Sequence, residues 1–371
     1  METPDTSISE ADQIDRVAFI GERAIGAGHP PYVIAELGVN HDGDPAKALE
    51  LVRIAADAGA DAIKLQLFEA ERLMSADARL AAYQADAGER DPVAMLRRLE
   101  LPIEAMAPAV DLAHARGLHA IVSIFSTSLV DAAMRLPWDA FKVASPDIIN
   151  LPLLDALMAT GKPMIVSTGA STLDEVQRAA EWLEQAAERT MFLQCVSSYP
   201  VPEGFDALEG IGAVAKVTRA VCGYSDHTPG WETATPACEA GAAILEKHLT
   251  YDTAATGPDH AASLDAAGFA KYVRAARDTF QTGRWGTRLL PARKELLPAE
   301  RDVRLVSRQS LVATHDLPEG HVLTPGDLTV KRPGTGLPPF MIGSVMGCTL
   351  ARAVKADRVM LESDIAFCPP R

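Results

Sequence analysis

Residues 32–67 read YVIAELGVNHDGDPAKALELVRIAADAGADAIKLQL, and this stretch contains two kinds of segment. Tyr32–Leu37 and Ala62–Leu67 are short runs, mostly apolar and without strict alternation, the pattern of parallel strands covered on both faces. Between them the spacing predicts a helix. Asp44 caps it, Pro45 takes its first position and Gly59 ends it. Ala48, Val52 and Ala55 fall on one face, with Lys47, Glu50, Arg53 and Asp57 opposite.

The same unit recurs along the chain. Further runs are His119–Phe125, Ala140–Ala144, Pro163–Ser167, Met191–Val196, Ala220–Tyr224 and Ala242–His248. A second capped helix opens at Thr172, with Glu175 three residues on and Val176, Ala179 and Leu183 behind it. Eight strand–helix units over roughly 250 residues predict an α/β fold, a (β/α)8 TIM barrel. The competing architecture is a doubly wound sheet, which calls for a glycine-rich phosphate fingerprint after the first strand. Gly38-Val39-Asn40-His41 is not one. The predicted layout is a disordered polar tail over 1–16, the barrel domain over 17–285, and a linker rich in charge and Pro over 286–305. A small mostly-β domain over 306–371 follows, with turns at Gly320, Pro325-Gly326 and Pro333-Gly334.

Bulk properties narrow the class. The chain has 371 residues, 48% hydrophobic and 23% charged, as in ordinary globular proteins. A net charge of −15 argues against a nucleic-acid partner, because phosphate backbones are gripped by Lys/Arg-rich faces. A small anion held by a few local cations remains compatible with it. No apolar run is long enough for a membrane span, and the first 16 residues lack the apolar core of a signal peptide. The five cysteines (Cys195, Cys222, Cys238, Cys348, Cys368) show no C-x-x-C spacing, so reduced thiols and a cytoplasmic location are expected.

Catalytic groups of such barrels gather at the C-terminal strand ends, and here nearly every predicted strand ends in a polar residue. Glu36 closes the first, followed by Asn40 and His41. Lys64 and Gln66, two apart and so on one face, lie in the second, and Ser123 ends the third. Lys142 and Ser145 follow, then Ser167 and Thr168, then Ser197 and Tyr199. The seventh ends in Ser225-Asp226-His227 and the eighth in Glu246-Lys247-His248. A ring of Lys and Ser holds a phosphate by charge and hydrogen bonds, and His227 and His248 are candidates to share a divalent metal.

At these residues the chain resembles the sialic acid synthase family, including its N-acetylneuraminate and legionaminate branches. The matching segments are Ile34–Gly43, Gly59–Gln66, Phe141–Ser145, Gly161-Lys162-Pro163, Ser167-Thr168-Gly169 and Cys195–Pro200. Gly223–Thr228, Glu246–Thr250 and Gly257–His260 complete them. Val330–Gly336 looks like the signature of that family's C-terminal antifreeze-like (SAF) domain. The resemblance implies an enzyme that condenses phosphoenolpyruvate (PEP) with an N-acylated hexosamine to a nine-carbon 2-keto acid. It implies His227 and His248 as ligands of Mn²⁺, or of Mg²⁺ or Co²⁺. Lys64, Gln66, Ser123, Lys142, Ser145, Ser167, Ser197 and Ser225 are implied as PEP-binding, and Glu36 as the group acting at the reacting end. Tyr199, Asp259 and Arg332 would hold the sugar, Arg332 arriving from the other subunit of a domain-swapped homodimer. Asp226 and Glu246 are expected to orient the histidines rather than ligate.

Several positions depart from the family pattern. Val122-Ser123-Ile124-Phe125 replaces Ser-Thr-Pro-Phe; Ser123 keeps a hydroxyl, and Ser126-Thr127 offers a gapped alternative. Pro146 stands where Gly is usual, which removes an amide donor, Gln194 replaces His, and Ala170 replaces Met. The segment from Tyr83-Gln84 to Leu101 is more like the neuraminate and legionaminate branches than the pseudaminate one. Two other readings compete: a 3-deoxy-ulosonate synthase, which needs a second basic pocket for an acceptor phosphate, and a non-catalytic carbohydrate-binding relative.

Overall fold

The computed structural model describes residues 16–368; residues 1–15, nearly all of the expected tail, and 369–371 lie outside the described residues. Eight parallel strands close into a barrel, each pairing with the next in chain order and the last with the first. They are β3 (Tyr32–Gly38), β4 (Ala62–Leu67), β5 (His119–Ile124), β6 (Ala140–Val143), β7 (Met164–Ser167), β8 (Thr190–Cys195), β9 (Cys222–Asp226) and β10 (Ile244–His248). The helix Pro45–Asp57 starts as its sequence dictates, with Asp44 Oδ1 accepting from Ala46 N at 2.8 Å. At the second predicted start, Thr172 Oγ1 accepts from Glu175 N while Glu175 Oε2 accepts from Thr172 N. These bonds satisfy amides that the first helical turn leaves free.

Alternate residues of a strand face opposite ways, which divides the barrel into three layers. Val33, Ala35, Ile63, Leu65, Val122 and Phe141 face outward and join the helices in one apolar cluster. Tyr32, Ile34, Ala62, Ile121, Ile165, Met191 and Ile244 face inward near the strand starts and fill the lower barrel. One residue pair further along the inward positions turn polar, and there the site begins. The plug is completed by an element absent from the sequence reading, an antiparallel hairpin of β1 (Val17–Ile20) and β2 (Arg23–Gly26). Its Ala18, Ile20 and Ile25 pack against the inward layer. The signal was the alternation in Val17-Ala18-Phe19-Ile20, whose even members are buried.

Asp226 and Lys247 lie on outward positions and pair at 3.2 Å with both side chains fully buried. The ammonium also lies 5.7 Å from the ring of Tyr272, on the helix Ala266–Gln281. Asp226 therefore serves the wall rather than the histidines.

The stretch 286–305 is more than a connection, since a helix, Arg301–Ser307, begins inside it and Glu300 is buried. Beyond it, β11 (Ser310–Ala313) pairs with β12 (Leu328–Lys331), and β13 (Thr349–Leu350) with β14 (Ile365–Phe367), around a separate apolar core. Here the reading of all cysteines as reduced is corrected: Cys348 and Cys368 form a disulfide. The antiparallel register pairs Thr349 with Phe367, so the two flanking cysteines become cross-strand neighbours, a proximity that spacing alone conceals. Cys195, Cys222 and Cys238 are free and buried. No helix among the described residues is long and apolar enough to cross a membrane.

The buried wall pair makes a prediction. Removing one partner leaves an uncompensated charge, so Lys247→Met is expected to cost about 3–5 kcal/mol. The double change with Asp226→Leu is expected to recover most of that loss. Thermal melts of the three proteins test it.

Candidate active site

The polar layer is organised by Lys64. Its ammonium stands 2.5 Å from Glu36 Oε2, 3.2 Å from Glu246 Oε1 and 3.4 Å from Ser123 Oγ. Register explains the cluster: β10, β3 and β4 are adjacent, with His248 opposite Glu36 and Glu36 opposite Lys64. Gln66 Nε2 donates to Glu36 Oε1 at 2.9 Å, and Ser225 Oγ donates to Glu246 Oε1 at 3.1 Å. Burial pushes the Lys64 ammonium down to about 8 against the pull of Glu246. Burial acts upward on Glu246, but Lys142 and Lys64 hold its carboxyl below the ordinary range.

A second group lies across the barrel. Lys142 Nζ donates to Ser167 Oγ at 2.6 Å and to Val143 O at 3.0 Å, and Ser145 Oγ accepts from Gly169 N at 3.0 Å. A Cβ on Gly169 would lie 2.3 Å from Ser197 Oγ and 2.9 Å from both Ser145 Oγ and Cys195 Sγ. Glycine is what lets three strand ends converge there. Next to it Ala170 takes the left-handed region, φ 50°. Its amide and that of Ser197 both donate to Glu300 Oε1, at 2.6 and 2.8 Å. Ser126 and Ser128 bond each other at the exposed surface, whereas Ser123 lies within.

His227 and His248 face each other with ring centroids 5.5 Å apart. His227 Nδ1 lies 2.8 Å from Val196 O and 3.7 Å from Cys195 Sγ, which turns Nε2 towards the interior. Val196 and Cys195 thus orient this ring, the role that had been expected of Asp226 and Glu246. His248 Nδ1 is buried without a hydrogen-bond partner, 3.8 Å from Asp259 Oδ2, and Glu246 Oε2 is likewise unpartnered. The pair suits a divalent cation bound by two imidazoles with its other positions open. Among the described residues no group of three His, Cys, Asp or Glu stands ready to enclose one.

Above the histidines the mouth is aromatic. Tyr199 stacks 4.2 Å from the His227 ring and 5.1 Å from Tyr83. The Arg332 guanidinium lies 5.7 Å from the Phe125 ring; burial lowers its pKa from the ordinary value, against the opposing pull of Asp147. It arrives over its own barrel, held by Arg332 N donating to Leu73 O at 2.8 Å and Ser75 N to Arg332 O at 3.0 Å. An exchange between subunits, which the resemblance implies, is therefore not needed to bring Arg332 to a barrel mouth. Asp147 escaped the sequence reading. It is fully buried, accepts from Gln309 Nε2 at 2.8 Å, and keeps Oδ2 without a partner. Burial pushes its carboxyl up to about 7. It follows Ser145 by two residues, the one signal available in the sequence.

Residues 51–285 match the NeuB family, and residues 308–366 match the SAF domain. The chain belongs to the NeuB family. It is 32% identical to an N,N'-diacetyllegionaminic acid synthase of Legionella pneumophila, covering 92% of this chain and 96% of the relative. It is 31% identical to the human N-acetylneuraminate-9-phosphate synthase, over 92% of this chain and 94% of that one. Among solved structures, a spore coat polysaccharide biosynthesis protein of Bacillus subtilis superposes with a TM-score of 0.81 at 26% identity, covering 95% of this chain and all of that one.

In this NeuB-family barrel Lys64, Gln66, Ser123, Lys142, Ser145, Ser167, Ser197, Ser225 and Glu36 share one interior, while His227, His248, Tyr199, Asp259 and Arg332 surround its opening. The structural role of Gly169 is testable on its own. Gly169→Ala is expected to fold but to lose about 1–3 kcal/mol through overpacking, read as a lower melting temperature.

Proposed function

We propose that the protein is a sialic-acid-type synthase. It joins PEP to an N-acylated hexosamine, N-acetylmannosamine or its 2,4-diacetamido-6-deoxy analogue, giving a nine-carbon 2-keto acid and phosphate. The observation that carries this reading is the interior in which Lys64 and Lys142, set among five serines, face Glu36 beneath the His227–His248 pair. The names of the relatives point the same way.

The two ammonium groups and the serine hydroxyls hold the phosphate and carboxylate of PEP. The C2=C3 electron pair of PEP forms a bond to the aldehyde carbon, whose C=O pair moves onto its oxygen and takes up a proton, and positive charge appears at C2. Glu36, fixed by Gln66 and Lys64, stabilises that charge and takes a proton from the water that adds there. The bond from C2 to the phosphate oxygen then breaks, its electron pair leaves with the phosphate, and the phosphate takes the proton of the C2 hydroxyl as the keto group forms. His227 and His248 would hold a divalent ion, Mn²⁺ foremost with Mg²⁺ and Co²⁺ as alternatives, which would polarise the aldehyde. Tyr199, Asp259 and Arg332 orient the sugar.

Phosphate release and 2-keto acid formation from PEP, Mn²⁺ and each of the two sugars test the proposal. Turnover with one sugar is expected, abolished by a chelator and by His227→Ala, and lowered about a hundredfold or more by Glu36→Gln. No phosphate release with either sugar from folded, metal-bound protein overturns it.

The assembly proposed is a homodimer exchanging its small units, each repeating on the neighbouring barrel the contacts Arg332 makes with Leu73 and Ser75. A connection without helix or strand from Gly283 to Leu297, with Leu289 89% exposed, supports this reading. Mixing Glu36→Gln with Arg332→Ala protein after mild unfolding is expected to regain up to roughly a quarter of wild-type activity, because one site in four then combines both native residues. No recovery assigns Arg332 to its own barrel.

A further inference from the structure

A second cavity lies outside the barrel, between the helix Leu173–Trp182, the helix Arg301–Ser307 and the small β unit. Its volume is about 560 Å³, within the range of small-molecule sites. Arg178, Arg301, Arg304 and Arg308 line it, against the single carboxylate of Glu175, and the ring of Phe340 forms part of its wall. Four cations converging on one cavity stand out in a chain of net charge −15.

The internal pairing leaves positive charge over. Glu175 is engaged by Arg304 at 2.8 Å and by Arg308 at 2.9 Å. Among the described residues no acid pairs with Arg178 or Arg301. Arg178 instead lies with its guanidinium 5.4 Å from the Phe340 ring. Arg308 is 4% exposed, and its Nε is buried without an acceptor. An orphaned buried donor of a charged group is costly, and an anion in the cavity supplies its acceptor.

We propose that this cavity is an effector site for a small organic anion carrying a phosphate or carboxylate and a flat apolar part. The anionic group meets the arginines, which suit planar, bidentate recognition, and the flat part lies against Phe340. The site is wired to the barrel. Arg304 Nη1 and Arg308 Nη2 donate to Ala170 O at 2.5 and 3.1 Å, while the Ala170 amide shares Glu300 with Ser197. Gly334, which also lines the cavity, donates to Leu305 O and lies two residues after Arg332. An anion that draws Arg304 and Arg308 away from Glu175 therefore acts on the turn next to Ser167 and Ser197. The lining is the same whichever copy supplies the small unit.

Calorimetric titration of the full chain with phenyl phosphate, and in parallel with inorganic phosphate, tests the proposal without requiring turnover. Wild-type protein is expected to bind phenyl phosphate more tightly than inorganic phosphate. Arg178→Glu with Arg301→Glu, both exposed and outside the barrel site, is expected to weaken phenyl phosphate binding roughly tenfold or more. Reversing two exposed arginines elsewhere, Arg53→Glu with Arg90→Glu, is expected to leave it unchanged. Equal affinity in wild type and the Arg178/Arg301 variant, or no binding to wild type, overturns the proposal. If the synthase reading fails instead, PEP and sugar give no product while these binding differences persist. In the active enzyme, phenyl phosphate is expected to shift the KM for PEP in wild type and not in the Arg178/Arg301 variant.

Discussion

Lys64 sits in a closed interior between two carboxylates, and much of the barrel's upper half follows from keeping that charge compensated. An ammonium taken out of water costs several kcal/mol unless counter-charges stand within a few ångströms. Glu36 and Glu246 supply them, and each is steadied by a neutral group, Gln66 for the first and Ser225 for the second. All five side chains sit on inward positions of four neighbouring strands. A slip of one residue in β10, β3 or β4 would turn its inward charge towards the layer beneath the helices. The apolar plug below and the ionic layer above are thus set by the same pairing of β9, β10, β3 and β4. Lys142 is different, since its hydrogen bonds go to Ser167 and a carbonyl and not to a carboxylate. That leaves the two-lysine interior with donor capacity on one side, where an anionic ligand completes what the protein leaves open.

The far side of the ring depends on a residue from outside the barrel. Glu300 binds the amides of Ala170 and Ser197, and its other oxygen accepts from Leu297 N. Ala170 occupies a backbone region that costs a non-glycine residue of order 1 kcal/mol. Its amide is held by Glu300 and its carbonyl by Arg304 and Arg308, so the strained turn is fixed at both ends from the C-terminal part of the chain. Gly169, one residue earlier, packs against Ser145, Cys195 and Ser197. The stretch between barrel and small β unit therefore shapes the serine side of the site as well as joining two folds.

What the sequence disclosed follows from which forces are periodic. Strand positions were legible because each run is mostly apolar, as strands covered on both faces are, and the helix starts were legible because Asp44 and Thr172 have short-range partners. The candidate ring was legible for the same reason, as strand ends converge by topology once the barrel is recognised. Long-range facts were not. The Cys348–Cys368 link needs the register of β13 with β14, and the buried function of Glu300 lies across 103 residues from Ser197. Asp226 was misread because adjacency to His227 in the chain places it on the opposite face of the strand, where Lys247 and not the imidazole is its partner.

The mouth obeys a different logic from the ring beneath it. Its polar groups come from segments that share no register: Tyr83, Asp147, Tyr199, Asp259 and Arg332. Two of them keep buried atoms without protein partners, Asp147 Oδ2 and Arg332 Nε. One is an acceptor, or a donor once the carboxyl is protonated, and the other is a fixed donor. Leaving both unsatisfied costs about 1–3 kcal/mol each. A ligand bearing hydroxyl and amide groups is the kind that offsets the cost at both atoms, whereas PEP, with acceptors alone, pairs with the guanidinium but repels an ionised Asp147. Choice among acceptor sugars in the proposed reaction then rests on these unshared atoms and on the aromatic wall of Tyr83, Tyr199 and Phe125. The strand motifs that mark the family speak for the phosphate end, and the loops around Asp147 and Arg332 speak for the sugar.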